Sequence, residues 1–131
     1  MKKQLNHVKK FHEVFGHPIA KKPCLVKKDL WFLRGTLLSE ELEEYAQACV
    51  AEDLVAVADA LADQLYILLG TMHVHGMAGK IEEIFDEVQR SNMSKLGSDG
   101  KPVLRADGKI LKGPDFTEPD IKSIIDGKEK N

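Results

Sequence analysis

The sequence contains few cysteines and has almost no net charge. It has only two cysteines, Cys24 and Cys49, with no CxxC pair and no cysteine and histidine spacing of the zinc-binding kind. Two isolated cysteines are typical of free thiols in a reducing cytosol, which argues against a disulfide scaffold or a zinc site. The formal net charge is only -2, so binding of nucleic acid by charge alone is not expected.

The sequence also has no long hydrophobic segment without charged residues. The most apolar stretch, from Leu54 to Met72, contains Asp59 and Asp63. Each aspartate costs roughly 2.5–3.5 kcal/mol at the centre of a membrane. No apolar stretch follows the Met-Lys-Lys start, so no signal peptide is expected. We therefore expect a cytoplasmic protein without a membrane partner, and the host cytoplasm if the source is a phage.

The chain has 131 residues, which fits one domain. Apolar residues recur at helical spacing along most of it, and a proline-containing connector occupies residues 17–24. The spacing predicts four helices, over residues 3–15, 29–51, 52–76 and 80–95.

The pattern changes at Gly97. An Asp-Gly pair that begins at Asp107 lies between two short apolar pairs, which predicts a small hairpin. Thr117 with Asp120 resembles a capping box and predicts a short terminal helix. The residues from Gly127 onward are expected to be a charged, frayed tail.

Acidic side chains continue the apolar face of the second predicted helix. At about 100° per residue, this face falls within a sector of roughly 100°, whereas Glu43 lies outside it and belongs to the solvent side. The face is formed by Leu30, Leu33, Leu37, Glu40, Glu41 and Glu44.

The third predicted helix repeats this arrangement. Asp59 and Asp63 are one turn apart, opposite an apolar stripe of leucines. Because Val55, Ile67 and Leu69 make the helix apolar nearly all round, both aspartates are expected on a buried side.

Clustered carboxylates in apolar surroundings repel one another and lose hydration, so they take up protons or a cation. Oxygen ligands suit Mg²⁺ or Mn²⁺, and Mg²⁺ commonly takes phosphate oxygens as further ligands. Two plainer interpretations stay open. The acidic run from Glu40 to Glu44 is also typical of a solvated helix, and lysine or arginine from another helix could neutralise Asp59 and Asp63.

The two acidic segments, Leu37 to Glu44 and Ala58 to Tyr66, resemble the MazG-like all-α nucleoside triphosphate pyrophosphohydrolases. That superfamily, which includes dimeric dUTPases and phosphoribosyl-ATP pyrophosphohydrolase, carries EExxE on one helix and ExxD on the next. Asp63 matches the last position, but the family's preceding glutamate falls on Ala60. The downstream segments Val88 to Lys95 and Lys112 to Phe116 look like one branch of these enzymes.

The resemblance implies a single MazG-like domain over residues 1–131, with a four-helix-bundle-like core at about 3–95. A phosphate-side appendage follows at about 96–126. It also implies Mg²⁺, replaceable by Mn²⁺, and hydrolysis of a (d)NTP at the α-phosphorus to (d)NMP and pyrophosphate. The implied metal ligands are Glu41, Glu44, Asp63 and, as a substitute for the missing glutamate, Asp59.

The resemblance further implies that Glu40 orients or deprotonates the attacking water; a surface role is the alternative. Asn92, Lys95 and Lys112 would contact phosphates, although lysines at a helix end or on a surface are common. Tyr66 fits a core role and a site role equally well.

Three further residues of the first helix, Phe11, His12 and Phe15, could help to form a base pocket, with core packing as the alternative for the phenylalanines. His73 and His75 have a spacing unsuited to helical metal ligation and favour surface or capping roles.

Both long helices carry a second apolar stripe, and one chain of this length can hardly cover all of them. This predicts a homodimer or a homotetramer built as a dimer of dimers. Two other functions remain possible. One is a hydrolase that prefers dUTP or dUDP, and the other is a non-catalytic, metal-binding helical oligomer or interaction module.

Overall fold

The computed structural model describes residues 1–127, which form five α-helices and no strand beyond one isolated bridge. The predicted all-α class is confirmed, and the charged tail expected after Gly127 lies outside the described residues. The chain divides into two compact units, Met1–Gly79 and Lys80–Asn131. The helices are α1 (Lys2–Phe15), α2 (Lys28–Val50), α3 (Leu54–Val74), α4 (Ile81–Met93) and α5 (Ile121–Asp126).

A tight turn joins α2 and α3 in the first unit. Glu52 adopts a positive φ of 55° in this turn. Asp53 then caps α3, since its Oδ1 accepts hydrogen bonds at 3.0 Å from the backbone N–H groups of Val55 and Ala56. The helix start predicted at residues 52–53 is confirmed.

The two long helices pack antiparallel along their lengths. Near the start of α2, the Arg34 Nε donates to Thr71 Oγ1 at 3.0 Å, near the end of α3. Further along, the Gln64 side chain donates to the Glu41 carbonyl at 3.4 Å. Because the partner's number falls as the α2 number rises, early turns of α3 lie beside late turns of α2.

Helix α1 also packs antiparallel on α3. Leu5 and Val8 are buried against it, and the His73 ring bonds the Leu5 carbonyl at 2.8 Å. Because a carbonyl only accepts, the His73 Nε2 is the donor. The surface or capping role predicted for His73 is wrong: its ring is 5% exposed, and it satisfies a backbone carbonyl between two helices.

The connector after α1 is fastened to the end of α3. Gly16 ends α1 with a left-handed φ of 71°. The Ala20 N–H then donates to the His73 carbonyl at 2.9 Å, and the Cys24 N–H donates to the His75 carbonyl at 3.0 Å. These bonds return the chain to the start of α2.

The second unit is built around a buried acid. Glu87 is 5% exposed and accepts hydrogen bonds from the Arg90 guanidinium at 2.9 and 3.0 Å and from the Asp120 N–H at 2.9 Å. The predicted hairpin is reduced to one antiparallel bridge between Leu104 and Ile110.

The terminal helix begins later than the capping box predicts. Asp120, rather than Thr117, caps α5, since its Oδ1 accepts from the Ser123 N–H at 3.1 Å. The prediction of a cap at Thr117 is wrong because Pro119 disfavours a helical conformation in the residue before it.

Helix α3 is unusually apolar for its position near the surface. Among residues 1–127 it alone is long and apolar enough, by length and composition, to cross a membrane, with a mean hydropathy of 1.5. A core helix of a soluble protein has the same length and composition.

Candidate active site

The acidic residues of α2 and α3 lie on neighbouring turns of the helical hairpin. The bond from the Gln64 amide to the Glu41 carbonyl fixes these turns beside each other, and Gln64 directly follows Asp63. The other four carboxylates that the sequence assigns to this site therefore act electrostatically on Glu41: Glu40, Glu44, Asp59 and Asp63.

Glu41 has the most unusual environment of the five. Its side chain is half-buried, and its Oε2 is fully buried without a hydrogen-bond partner in the described chain. Loss of hydration raises the pKa of Glu41 above its ordinary value of 4.5, and the charges of the other four carboxylates, that of Glu44 first, raise it further. A buried oxygen of this kind needs a proton or a cation.

The other four carboxylates, Glu40, Glu44, Asp59 and Asp63, are exposed in the single chain. The expectation that both acidic faces are buried is therefore wrong within one chain. The reason is that the chain leaves much of these helices uncovered: Leu33, on the same face as Glu40, is 47% exposed. Among residues 1–127 no three side chains of the metal-ligating kinds stand close enough to hold an ion.

The donor chemistry of this acidic face nevertheless fits a hard divalent cation. The side chains offer only carboxylate oxygens, and the unpartnered Oε2 of Glu41 is one of them. The ion pairs found within residues 1–127 involve none of the five carboxylates. Neutralisation of Asp59 and Asp63 by a lysine or arginine is therefore not found in the described chain.

Ala60 occupies the position of the glutamate in the ExxD motif of the MazG-like enzymes that the sequence resembles. It is 3% exposed, so its methyl group is packed. Asp59, one residue earlier, is exposed and contributes to the raised pKa of Glu41. Its proposed role as a substitute ligand stays a prediction.

Tyr66 stands three residues after Asp63 and borders two pockets. One pocket has a volume of about 250 Å³ and is lined by side chains of all three helices of the first unit. Phe11 and His12 also line it, as the base-pocket hypothesis expects, whereas Phe15 is 65% exposed and stacks on Phe11.

The predicted phosphate contacts Asn92, Lys95 and Lys112 belong to the second unit. The Lys95 Nζ donates to the Asn92 Oδ1 at 2.7 Å, so these two side chains form one polar group at the end of α4. The Lys112 Nζ pairs with Glu118 at 2.9 Å and lies 4.3 Å from the centre of the Phe116 ring.

The sequence did not indicate that Ser91 and Ser94 hold the chain near Thr117 by hydrogen bonds. The Ser91 Oγ donates to the Thr117 carbonyl at 2.8 Å, and the Thr117 N–H donates to the Ser94 Oγ at 3.0 Å. The Arg90 Nη1 donates to the Thr117 Oγ1 at 2.6 Å. These bonds fasten Thr117 to α4, and nothing in the sequence pattern signals them because the partners are more than 20 residues apart.

Arg34 is a second residue that sequence reasoning missed. It is 6% exposed and bonds α3 through Thr71 and the Ile67 carbonyl. Its signal was present, since on the helical wheel this arginine falls between the two apolar stripes of α2. A charged residue flanked by apolar stripes on both sides is expected to have a specific partner.

The raised pKa of Glu41 predicts how stability depends on pH. The folded protein holds this proton more tightly than the unfolded chain, so its contribution to stability is complete below about pH 4.5 and is lost as the pH rises through the folded pKa. Thermal unfolding without divalent cations should therefore show the wild type losing stability relative to Glu41→Gln over that range. A constant difference between the two proteins from pH 4 to 8 would contradict this prediction.

An α2/α3 hairpin that aligns two acidic segments defines an all-α protein of the MazG-like type. The family model for phosphoribosyl-ATP pyrophosphohydrolase matches residues 8–92, well over half of the chain. The chain belongs to this family, whose members are nucleotide pyrophosphohydrolases that act on phosphoanhydrides. The match includes both acidic segments and ends before Lys95. No curated protein matches the chain.

Proposed function

We propose that the protein hydrolyses nucleoside triphosphates to the monophosphate and pyrophosphate, with Mg²⁺ as its cofactor and Mn²⁺ as a substitute. The observation that carries the proposal is the buried, unpartnered Oε2 of Glu41, which faces the field of four more carboxylates. A group of this kind destabilises the chain unless it takes up a proton or a cation joins it, and a cation at the carboxylates would satisfy all of them together. Membership of the family supplies the phosphoanhydride chemistry.

In this proposal Glu41, Glu44 and Asp63 hold the cation, with Asp59 beside them. The bound cation would neutralise charge that develops on the phosphate oxygens. Glu40 is exposed on the turn that carries Glu41, so it remains available to orient and deprotonate the attacking water. Transfer of that proton to the Glu40 carboxylate would leave a hydroxide equivalent for attack at the α-phosphorus.

Substrate contacts complete the proposal. Asn92 and Lys95 form a joined polar group whose remaining N–H donors suit phosphate oxygens. Lys112 would add a further donor by exchanging its pairing with Glu118 for a phosphate. Tyr66, near the acidic face, would contact the nucleoside.

A substrate panel tests the function. Purified protein with Mg²⁺ is incubated with each of the common ribo- and deoxyribonucleoside triphosphates, dUDP and phosphoribosyl-ATP, and pyrophosphate or phosphate release is measured. Phosphoribosyl-ATP is included because the matching family model carries its name. A clear preference for dUTP and dUDP would establish the narrower hydrolase instead. No release from any compound with Mg²⁺ or Mn²⁺ would favour the non-catalytic helical oligomer.

We also propose that two chains, or a dimer of dimers, form the working assembly. Large apolar side chains remain uncovered along α3, including Leu54, Leu61 and Leu65, which are 79%, 51% and 48% exposed. Insertion of α3 into a membrane would bury Asp59 and Asp63 at a cost of several kcal/mol on insertion scales. A second copy covers the leucines without that cost.

Sedimentation tests the assembly. We expect a dimer or tetramer of the 14.6 kDa chain, and expect Leu61→Glu to shift it towards the monomer because a charge would be buried at the contact. Ser98→Glu, which adds the same charge on an exposed loop, should leave the mass unchanged. A wild-type protein that sediments as a monomer would contradict the proposal.

The proposed location is the cytoplasm. Cys24 and Cys49 support it, because both are free and exposed, as suits a reducing compartment.

A further inference from the structure

We propose that the pocket between α1, α2 and α3 holds the nucleobase of the substrate. We further propose that Arg34 selects bases with a carbonyl oxygen, rather than an amino group, on the edge farthest from the sugar. This inference rests on the proposed function, because it assigns a specificity to the same site. It concerns uracil, thymine and guanine as against cytosine and adenine.

The pocket has the size and walls that an aromatic ring needs. Its volume of about 250 Å³ is below the range of about 300–1,000 Å³ that holds a drug-sized ligand, which suits a single ring system. Phe11 contributes a ring that meets Tyr66 edge-on at 5.6 Å and stacks with His17 at 5.7 Å. Aromatic side chains in a pocket wall pack against any base, because every base has a ring face.

The position of the pocket relative to the acidic face suits one nucleotide. Leu37, in its wall, precedes Glu41 by one turn of α2, and Tyr66 follows Asp63 by almost one turn of α3. One turn advances about 5 Å, a separation that the sugar of a nucleotide spans. With the α-phosphate at the acidic face, the base enters the pocket and its far edge points towards the start of α2.

Arg34 lies at that end of the pocket, one turn before Leu37 and Leu38. Its Nε donates to the Thr71 Oγ1 at 3.0 Å and its Nη2 to the Ile67 carbonyl at 2.6 Å. These two bonds hold the guanidinium in place. The Nη1 donates to no group in the described residues, although the side chain is 6% exposed.

The local charge of the pocket is carried by Arg34. No carboxylate within residues 1–127 forms an ion pair with it. Burial lowers the pKa of the neighbouring His12, and the positive charge of Arg34 lowers it too, against a raising effect of the bond to the Pro18 carbonyl. The lowered pKa favours the neutral form of His12, which does not compete for an acceptor as a cation would.

Gly70 makes room for this arrangement. A Cβ at this position would lie 2.6 Å from the Arg34 Nη2 and 2.7 Å from the His12 Nε2. The absence of a side chain on α3 thus lets both polar groups reach the pocket.

A guanidinium has five N–H donors and no acceptor. It favours the O4 of uracil or thymine and the O6 of guanine, and it opposes the amino groups that cytosine and adenine carry at the same positions. Hydrogen bonds of this type discriminate between bases by roughly tenfold or more.

The direct test uses nucleosides, which lack phosphate and need no metal. The histidine ring signals of the wild-type protein are followed by NMR while deoxyuridine or deoxycytidine is added. We expect the His12 and His17 signals to shift, and expect deoxyuridine to bind about tenfold more tightly. No shift, or equal affinity for the two nucleosides, overturns the inference, whether or not the protein cleaves any triphosphate.

Variants extend the test to turnover. Arg34→Met keeps the length of the side chain but has no donor, so it should lower kcat/KM for dUTP, dTTP and dGTP about tenfold and leave dCTP and dATP nearly unchanged. Arg105→Met removes an exposed arginine of the second unit and should leave the ranking of all five intact. An equal loss on all five substrates in a folded Arg34→Met overturns the selective role.

Phe11→Leu gives an independent measure of the pocket. It should weaken the binding of both nucleosides by about tenfold, because an aromatic wall of the pocket is lost. Unchanged nucleoside affinity in this variant would show that the base binds elsewhere.

Discussion

Glu41→Gln is expected to lower pyrophosphate release at least about 100-fold, since even residues that only support metal ligands change activity by roughly 10–100-fold. The substitution replaces the Glu41 carboxyl group, whose pKa the fold raises, by a neutral amide that cannot become an anionic ligand. The variant should therefore lose Mg²⁺-dependent thermal stabilisation as well as activity. Loss of both properties together is the signature of a ligand, because a cation that binds only the folded protein raises its stability by mass action.

Glu43→Gln is the matched control for this substitution. Glu43 lies two residues away on α2, is exposed, and accepts a hydrogen bond within residues 1–127 only from the Gln47 side chain, at 3.3 Å. It should keep wild-type activity and Mg²⁺ response. A Glu41→Gln protein with full activity would remove Glu41 from the cation site and with it the main support for the mechanism.

Glu40→Gln is expected to lower kcat by roughly 10²–10⁴-fold, the usual contribution of a general base. Unlike Glu41→Gln, it should keep the increase in Tm on addition of Mg²⁺. The two glutamates are adjacent in sequence, but Glu40 is exposed while Glu41 has a buried oxygen. The pair of variants thus separates proton transfer from cation binding.

The contrast between the two readouts decides the role of Glu40. If Glu40→Gln also abolishes the Mg²⁺-dependent rise in Tm, Glu40 is a ligand and another group activates the water. If kcat is unchanged, Glu40 belongs to the solvated surface.

The long helices and the pairing of their acidic segments follow from local sequence. Helical periodicity gave α2 and α3 within one or two residues of the observed ends. Because only three residues separate α2 from α3, the two helices pack antiparallel, and this packing brings Glu41 near Asp63. Both inferences depend only on helix geometry and a short connection.

Burial and long-range bonds could not be predicted in the same way. A helical wheel shows that α2 has two apolar stripes, but it does not show which stripe the rest of the chain covers. In the structure Leu33 remains 47% exposed. The buried Glu87 and its bond to the Asp120 backbone join residues 33 positions apart. The role of Arg34 likewise depends on Thr71, which only the folded chain brings near.

The most direct test of the central claim follows the oxygen of the attacking water. The protein hydrolyses its best triphosphate with Mg²⁺ in ¹⁸O-labelled water, and the products are separated and weighed by mass spectrometry. Attack at the α-phosphorus beside the acidic face predicts one ¹⁸O in the nucleoside monophosphate and none in the pyrophosphate. Label in the pyrophosphate, or release of single phosphate with a nucleoside diphosphate, would contradict the account.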